Sequence, residues 1–142
     1  MRLAHIVLAV VAVGTNLTFP IWVRLAERET AALPFTLRAV RSVDRAVTIP
    51  AYLATALSGA LLVALEGIPW SAGWIAASIA LFLLLMGIGV VLYRPVSRER
   101  LAAVARGVAD PLYRRAARRA EALDAAILVA ALAILVLMVV RP

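Results

Sequence analysis

The chemistry open to this chain is limited by its few reactive side chains. Its 142 residues include one histidine, His5, and no cysteine, which excludes disulfides, thiolate metal sites and cysteine nucleophiles. A neutral imidazole can hold haem iron, bind a metal or carry a proton. It supplies one axial ligand, so a six-coordinate b-type haem would need Met138 or a second protomer. The alternative is that His5 binds no cofactor and lies at the membrane interface, where it bonds to water or lipid headgroups. Because no catalytic pattern accompanies His5, we favour a protein that is not an enzyme.

A second group of candidates consists of polar residues inside long apolar stretches. Thr48, Tyr52 and Thr55 recur at spacings of four and three residues, which places them on one helix face. Polar groups in hydrocarbon are costly and usually face a bundle interior or a cavity. We therefore expect an intramembrane polar seam formed by Asn16, Thr48, Tyr52, Thr55, Glu66 and Ser78. The alternative is that these hydroxyl and small residues only pack helices together.

The elements that must position these residues are four apolar stretches, at about 3–23, 47–65, 70–93 and 123–140. About 20 apolar residues of helix cross a bilayer core of ~30 Å. Of the whole chain, 65% is hydrophobic, well above the ~45–50% that is typical of globular domains. The first stretch lacks a small-x-small cleavage site and is interpreted as a retained helix. We expect an all-α integral membrane four-helix bundle, a single transmembrane domain over residues 1–142.

Arginine alone supplies the basic side chains, and its distribution predicts the orientation. Five arginines lie in the segment 24–45 and eight in the segment 94–119, both of which follow odd-numbered stretches. The opposite side carries Arg2 and Arg141. The positive-inside rule then places both termini outside the cytoplasm and both arginine segments inside it, as long helix extensions.

Proline and glycine mark the expected helix boundaries. Pro50 should bend the second membrane helix near its start, because proline removes a backbone donor. Gly67-Ile68-Pro69 should form a tight turn, and Tyr93-Arg94-Pro95 should close the third span. A short helix is expected after it, stopped by Gly107. Asp110-Pro111 combines a cap residue with a first-turn proline, which predicts the start of the last helix.

One arginine cluster immediately precedes the fourth apolar stretch: Arg114, Arg115, Arg118 and Arg119. A basic cluster beside a membrane attracts anionic lipid headgroups by ~1 kcal/mol per residue. This position favours membrane lipid as the partner and argues against nucleic acid. Asp124, at the start of the fourth stretch, is expected to pair with a neighbouring arginine.

Two motifs resemble a known family. The segment Gly14-Thr15-Asn16-Leu17-Thr18-Phe19-Pro20-Ile21-Trp22 resembles the end of the first helix in an uncharacterised family of predicted bacterial integral membrane proteins. Asp44, Thr48-Ile49-Pro50 and Ser58-Gly59 resemble that family's second motif, and His5 matches a histidine near its start. Such proteins are distantly similar to copper-resistance D-like and protoporphyrinogen-oxidase-J-like membrane proteins, which implies haem or copper handling in those relatives. This chain lacks their further histidines.

The functional hypothesis that follows is a multi-pass protein of the bacterial cytoplasmic membrane. We favour a non-enzymatic binding or accessory subunit within a homo-oligomer or a larger membrane complex. One alternative is a redox protein that binds b-type haem or a metal through His5. Another is a small oligomeric permease that uses the seam around Asn16 and Tyr52.

Overall fold

The computed structural model describes residues 1–140, so Arg141, which enters the arginine count above, lies outside the described residues. All regular structure in the described part is helical, as expected. The α-helices are α1 (Arg2–Arg28), α2 (Leu33–Val43), α3 (Ile49–Leu65), α4 (Gly73–Gly87), α5 (Arg94–Ala103) and α6 (Pro111–Val140). Within residues 1–140 they combine into four helical runs long and apolar enough to cross a membrane: Arg2–Arg28, Leu33–Leu65, Gly73–Arg106 and Pro111–Val140.

Two π-helical turns, Asp44–Thr48 and Ile88–Tyr93, join α2 to α3 and α4 to α5. Each turn ends two residues before a proline, Pro50 or Pro95. Proline has no backbone N–H to donate, and its ring collides with the carbonyl four residues earlier. A π-helical turn is wider than an α-helical turn and leaves room for that carbonyl. The helix therefore continues through Tyr93-Arg94-Pro95, where the sequence indicated that the third span would close.

A short 3₁₀ turn, Val104–Arg106, follows α5 and ends at Gly107, where the sequence predicted a helix end. The start of α6 at Pro111, after Asp110, was predicted as well. Gly107 has a φ of 93° and Gly67 a φ of 64°, in the left-handed region that suits glycine. The carboxylate oxygen Oδ1 of Asp110 accepts the backbone N–H of Leu112 at 2.8 Å. This bond satisfies a donor that the first turn of α6 would otherwise leave without a partner.

The four runs pack mainly as two pairs, α1 against α3 and α4 against α6, with α1 also touching α6. One buried core, which includes Ala12, Ala51 and Ala130, lies among the membrane helices. A second core joins α1, α2, α5 and α6 through residues such as Leu33, Ala103 and Tyr113. We call the end of the bundle with this second core the arginine end, and the end with the Gly67–Pro69 turn the turn end.

Large apolar side chains cover the outside of the bundle. Leu57, Leu83 and Val129 expose 73%, 64% and 66% of their surface. A soluble protein rarely presents so continuous an apolar exterior, whereas lipid tails solvate it without cost. The exterior and the helix lengths together match a bundle immersed in a bilayer.

Candidate functional site

A cavity of about 290 Å³ lies among the four helical runs towards the turn end. It exists because α1 and α3 present small side chains to each other, so their backbones approach while space remains beside them. These small residues are Ala9, Ala12, Ala56, Gly59 and Ala60. The remaining wall is almost entirely apolar and includes Trp70 and Trp74. Its size is close to the ~300 Å³ at which small-molecule pockets begin.

His5 lies on the wall of this turn-end cavity, with its Nδ1 atom 2.9 Å from the hydroxyl oxygen of Ser58. That hydroxyl donates its only proton to the backbone carbonyl of Thr55 at 3.0 Å. Because the carbonyl can only accept, both bonds form together only when the Nδ1–H of His5 is the donor in the His5–Ser58 bond. In the neutral ring, Nε2 then carries the lone pair and acts as an acceptor.

The absence of a side chain at Gly59 leaves room for the imidazole of His5 to pack against α3. A Cβ atom at this position would lie 3.0 Å from Cε1 of His5, closer than side-chain carbons normally approach. The sequence motif Ser58-Gly59 thus supplies both the acceptor for Nδ1 and the space for the ring. Sequence reasoning had named Ser58 and Gly59 as part of the second family motif.

Tyr52 separates the turn-end cavity from a second, smaller one, and it lines both. Its hydroxyl accepts a hydrogen bond from the side-chain amide of Asn16 at 3.2 Å. One turn further towards the arginine end, Thr48 donates to the hydroxyl of Thr15 at 3.0 Å. Only 1% of Thr48 is exposed. Asn16, Thr48 and Tyr52 thus take part in hydrogen bonds across the α1–α3 contact. Thr15 also belongs to this set, although it was not among the residues expected to form the polar seam.

The second cavity, about 40 Å³, lies between the two π-helical turns. We call it the arginine-end cavity. Asp44, Tyr93 and Asp124 line it together with Asn16 and Tyr52. This volume exceeds the ~10–15 Å³ that one water molecule needs. Asp124 was expected to pair with an arginine, but the two ion pairs within residues 1–140 are Arg2–Glu66 and Arg100–Glu27.

The remaining members of the expected seam occupy different surroundings. Thr55 and Ser78 line the turn-end cavity, and each hydroxyl donates at 2.7 Å to a carbonyl of its own helix. Glu66 lies at the turn end, where its Oε1 accepts a bond from Nε of Arg2 at 2.6 Å. The structure therefore places Glu66 at the surface beside α1 and the two hydroxyl residues on a cavity wall.

A buried triad at the arginine end was not anticipated. Nη2 of Arg100 lies 2.7 Å from Oε1 of Glu27, which also accepts the hydroxyl of Tyr113 at 2.8 Å. The guanidinium of Arg100 stacks 5.4 Å from the centre of the Tyr113 ring. Arg100 is 5% exposed, and the triad connects α1, α5 and α6. A usable signal was present: Val96, Arg100 and Ala103 recur with the spacing of one buried helix face.

Both partners of Glu27 have shifted pKa values, and both lie outside the expected spans. Burial and the hydrogen bond to Glu27 raise the pKa of Tyr113 to about 12. Burial acts against the charge of Arg100, but its bonds to Tyr113 and Glu27 outweigh this and raise its pKa. Tyr113 therefore stays a hydrogen-bond donor and Arg100 stays charged at any physiological pH.

The arginine cluster Arg114, Arg115, Arg118 and Arg119 lies on the exposed face of α6. On the same turns, Tyr113, Ala116, Ala117 and Ala120 are buried against the rest of the bundle. The cluster therefore projects outward and is available to molecules outside the bundle.

The described residues contain no group of three or more His, Asp and Glu side chains arranged to hold a metal ion. A haem requires a different donor set, for which histidine and methionine are both suitable. His5 and Met138 line the same turn-end cavity.

A family model described as "Predicted integral membrane protein (DUF2269)" matches residues 1–142. No curated protein and no solved structure matches the chain.

Proposed function

The chain belongs to the DUF2269 family of predicted integral membrane proteins, and from this premise we propose that it is a membrane-embedded binding subunit. Its ligand is a small apolar ring compound with a hydroxyl or N–H group, held in the turn-end cavity beside His5. The protein binds this ligand without transforming it and works within a homo-oligomer or a larger membrane complex.

The cellular setting is the second part of the proposal. Four apolar helices and the one-sided arginine distribution support a multi-pass protein of the bacterial cytoplasmic membrane. Both termini lie outside the cytoplasm, and α2, α5 and the start of α6 extend into it. The exposed cluster Arg114–Arg119 attracts anionic lipid there rather than nucleic acid.

The observation that carries the proposal is the pair of contacts that Ser58 makes with His5 and with the carbonyl of Thr55. The hydrogen-bond chain from His5 through Ser58 to Thr55 leaves Nε2 as an acceptor on an apolar wall. A ligand that donates to Nε2 gains a hydrogen bond, whereas a ligand that only accepts meets a lone pair. The cavity therefore favours a phenol-like compound over an ether or carbonyl of the same shape.

The test compares two ligands that share a ring system. 2-Naphthol donates a hydrogen bond, whereas 2-methoxynaphthalene only accepts one. Because the ring system is the same, their affinities measured by calorimetry in lipid nanodiscs show the effect of hydrogen-bond donation. One net hydrogen bond is worth ~1 kcal/mol, so we expect about fivefold tighter binding of 2-naphthol. His5→Phe should abolish this preference. Equal affinity of the unmodified protein for both compounds would contradict the proposal.

A cavity-filling pair of variants locates the site. Ala56 lines the cavity, and Ala56→Leu should reduce the affinity for both naphthalene compounds. Ala126 is exposed on α6, so Ala126→Leu adds the same volume without entering the cavity and should leave binding unchanged. Equal losses in both variants would place the site elsewhere.

A second candidate function is binding of b-type haem. A metal-bound histidine usually donates its other ring N–H to an oxygen acceptor, and the His5–Ser58 bond has this form. His5 and Met138 would hold the group, which supplies one-electron chemistry when bound. A Soret band in the purified protein that disappears in His5→Ala would establish this function. A spectrum without that band in haem-supplemented preparations would exclude it.

A further inference from the structure

Two carboxyl groups from different helical runs line the arginine-end cavity. Asp44 begins the π-helical turn before α3, and Asp124 lies on α6. The cavity of about 40 Å³ has room for only a few water molecules. Two negative charges in so small a space repel each other, and the low dielectric of the bundle strengthens this repulsion. The cavity therefore favours a state in which one of the two charges is neutralised.

No ion pair neutralises Asp44. The positive charges that act on it belong to Arg45 and Arg94. Both arginines are exposed, and neither forms an ion pair with Asp44 within residues 1–140. Solvent screens charges at exposed positions, so their attraction to the carboxylate is small.

Asp124 also lacks an ion pair in the described part of the chain. The positive charge that acts on it is that of Arg100, which already forms a salt bridge with Glu27. Asp44 and the exposed Glu121 act on Asp124 with negative charge. The charge of the two cavity carboxylates must therefore be offset by something small enough to enter the cavity, which is a proton or a cation.

The hydroxyl of Tyr52 indicates independently that the cavity contains a hydrogen-bond acceptor. Tyr52 is 8% exposed, and its hydroxyl oxygen accepts a bond from Asn16. Asn16 lines the arginine-end cavity but not the turn-end cavity, so the hydroxyl lies on the arginine-end side of the tyrosine. Among the hydrogen bonds of residues 1–140, none has this hydroxyl as the donor. A buried hydroxyl without an acceptor is costly, so the Tyr52 proton requires an acceptor within the cavity.

Water meets this requirement, whereas a metal ion does not. A water molecule can accept the Tyr52 proton and donate to a carboxylate oxygen at the same time. A cation cannot accept a hydrogen bond, and the cavity offers two carboxylates but no third. The hydroxyl of Tyr93, which also lines the cavity, is a further donor to a carboxylate or to water. These side chains therefore suit a hydrated proton better than a metal ion.

We propose that Asp44 and Asp124 form a proton-binding site, in which the two carboxyl groups and the cavity water hold one proton at neutral pH. On binding, one carboxylate oxygen forms an O–H bond with a proton from water, and no other bond changes. The proton belongs to the pair and not to one residue, because the two groups titrate together. Ionisable groups in membrane bundles serve proton relays, and this site exchanges its proton at the arginine end. It is independent of the proposed ligand of the turn-end cavity.

The test is infrared spectroscopy of the full chain in lipid nanodiscs, with and without ¹³C in the side-chain carboxyl group of aspartate. The chain has three aspartates, and the third, Asp110, caps α6 and does not line the cavity. A protonated carboxyl group has a C=O stretching band that a carboxylate lacks. We expect a ¹³C-sensitive band at neutral pH, far above the ordinary aspartate pKa of ~3.9, and its loss in alkaline buffer. Absence of the band at neutral pH overturns the proposal.

Matched variants assign the proton to the pair. Asp44→Asn and Asp124→Asn should each move the midpoint of the band to lower pH by at least about one unit, since the repulsion is removed. The double variant should have no such band at neutral pH. The control, Asp110→Asn, retains a residue suited to helix capping and should keep both the band and its midpoint. A band that survives in the double variant, or an unchanged midpoint in Asp44→Asn, would contradict a shared proton.

Discussion

His5 near the start of the chain and Ser58 on α3 are joined by a 2.9 Å contact between Nδ1 and the serine hydroxyl. Ser58 also lies 3.0 Å from the carbonyl oxygen of Thr55, and the two bonds form together only when Nδ1 of His5 carries the proton. The His5–Ser58 contact also joins α1 to α3 at the turn end. Binding preference and helix packing are therefore both sensitive to substitutions at this position.

Gly59→Ala should displace the imidazole of His5, because the new methyl group would lie 3.0 Å from Cε1. The measurement is 2-naphthol binding by calorimetry, which should weaken at least fivefold, about the value of the lost hydrogen bond. The control is Gly87→Ala in α4, where a Cβ atom meets nothing within 4 Å. Its binding should be unchanged and its stability should rise by up to ~1 kcal/mol, since alanine favours helix. Unchanged 2-naphthol affinity in Gly59→Ala would show that the ring position does not matter.

Tyr52→Phe should destabilise the bundle by ~1 kcal/mol, because it leaves the amide of Asn16 without its 3.2 Å partner. Replacing both groups, as Tyr52→Phe with Asn16→Leu, should cost less than the sum of the single changes. Unfolding in mixed micelles measures all four proteins of this double-mutant cycle. Strictly additive effects would mean that the two side chains do not interact.

Glu27→Ala should destabilise the arginine end by up to about 3 kcal/mol, because it leaves the buried charge of Arg100 without its carboxylate. Limited trypsin digestion is a suitable readout, since the arginine-rich segments become cleavable when α5 and α6 separate. Glu29→Ala is the control, because Glu29 is exposed and lies two residues further along. Equal cleavage rates in the two variants would contradict a role for the triad.

The orientation prediction uses the absence of cysteine from the chain. Single cysteines at Ser71, near the turn end, and Ala109, at the arginine end, are both exposed. A membrane-impermeant thiol reagent should label Ser71→Cys in intact cells and Ala109→Cys only after the membrane is permeabilised. The reverse pattern would place the arginine segments outside the cytoplasm, against the charge rule.

The sequence determined the elements of this protein. The lengths of the apolar stretches predicted four membrane helices. A single segment in lipid can hydrogen-bond its own backbone N–H and C=O groups only as a helix. Gly107 and Asp110 predicted a helix end and a helix start, because each acts on backbone within a few residues. Pro50 likewise predicted a distortion, whereas Pro95 was expected to close the third span, because local sequence does not show that a π-helical turn continues the helix.

Only the tertiary structure decided which residues meet. The spacing placed Thr48, Tyr52 and Thr55 on one face, but the partners Thr15 and Asn16 depend on how α1 is rotated and how deeply it lies against α3. In the triad, Glu27 binds Arg100, which lies 73 positions later in the chain, and Tyr113, which lies 86 positions later. Such contacts arise when small residues allow close approach of particular helices, and the pattern within one helix carries no information about its neighbour's depth or rotation.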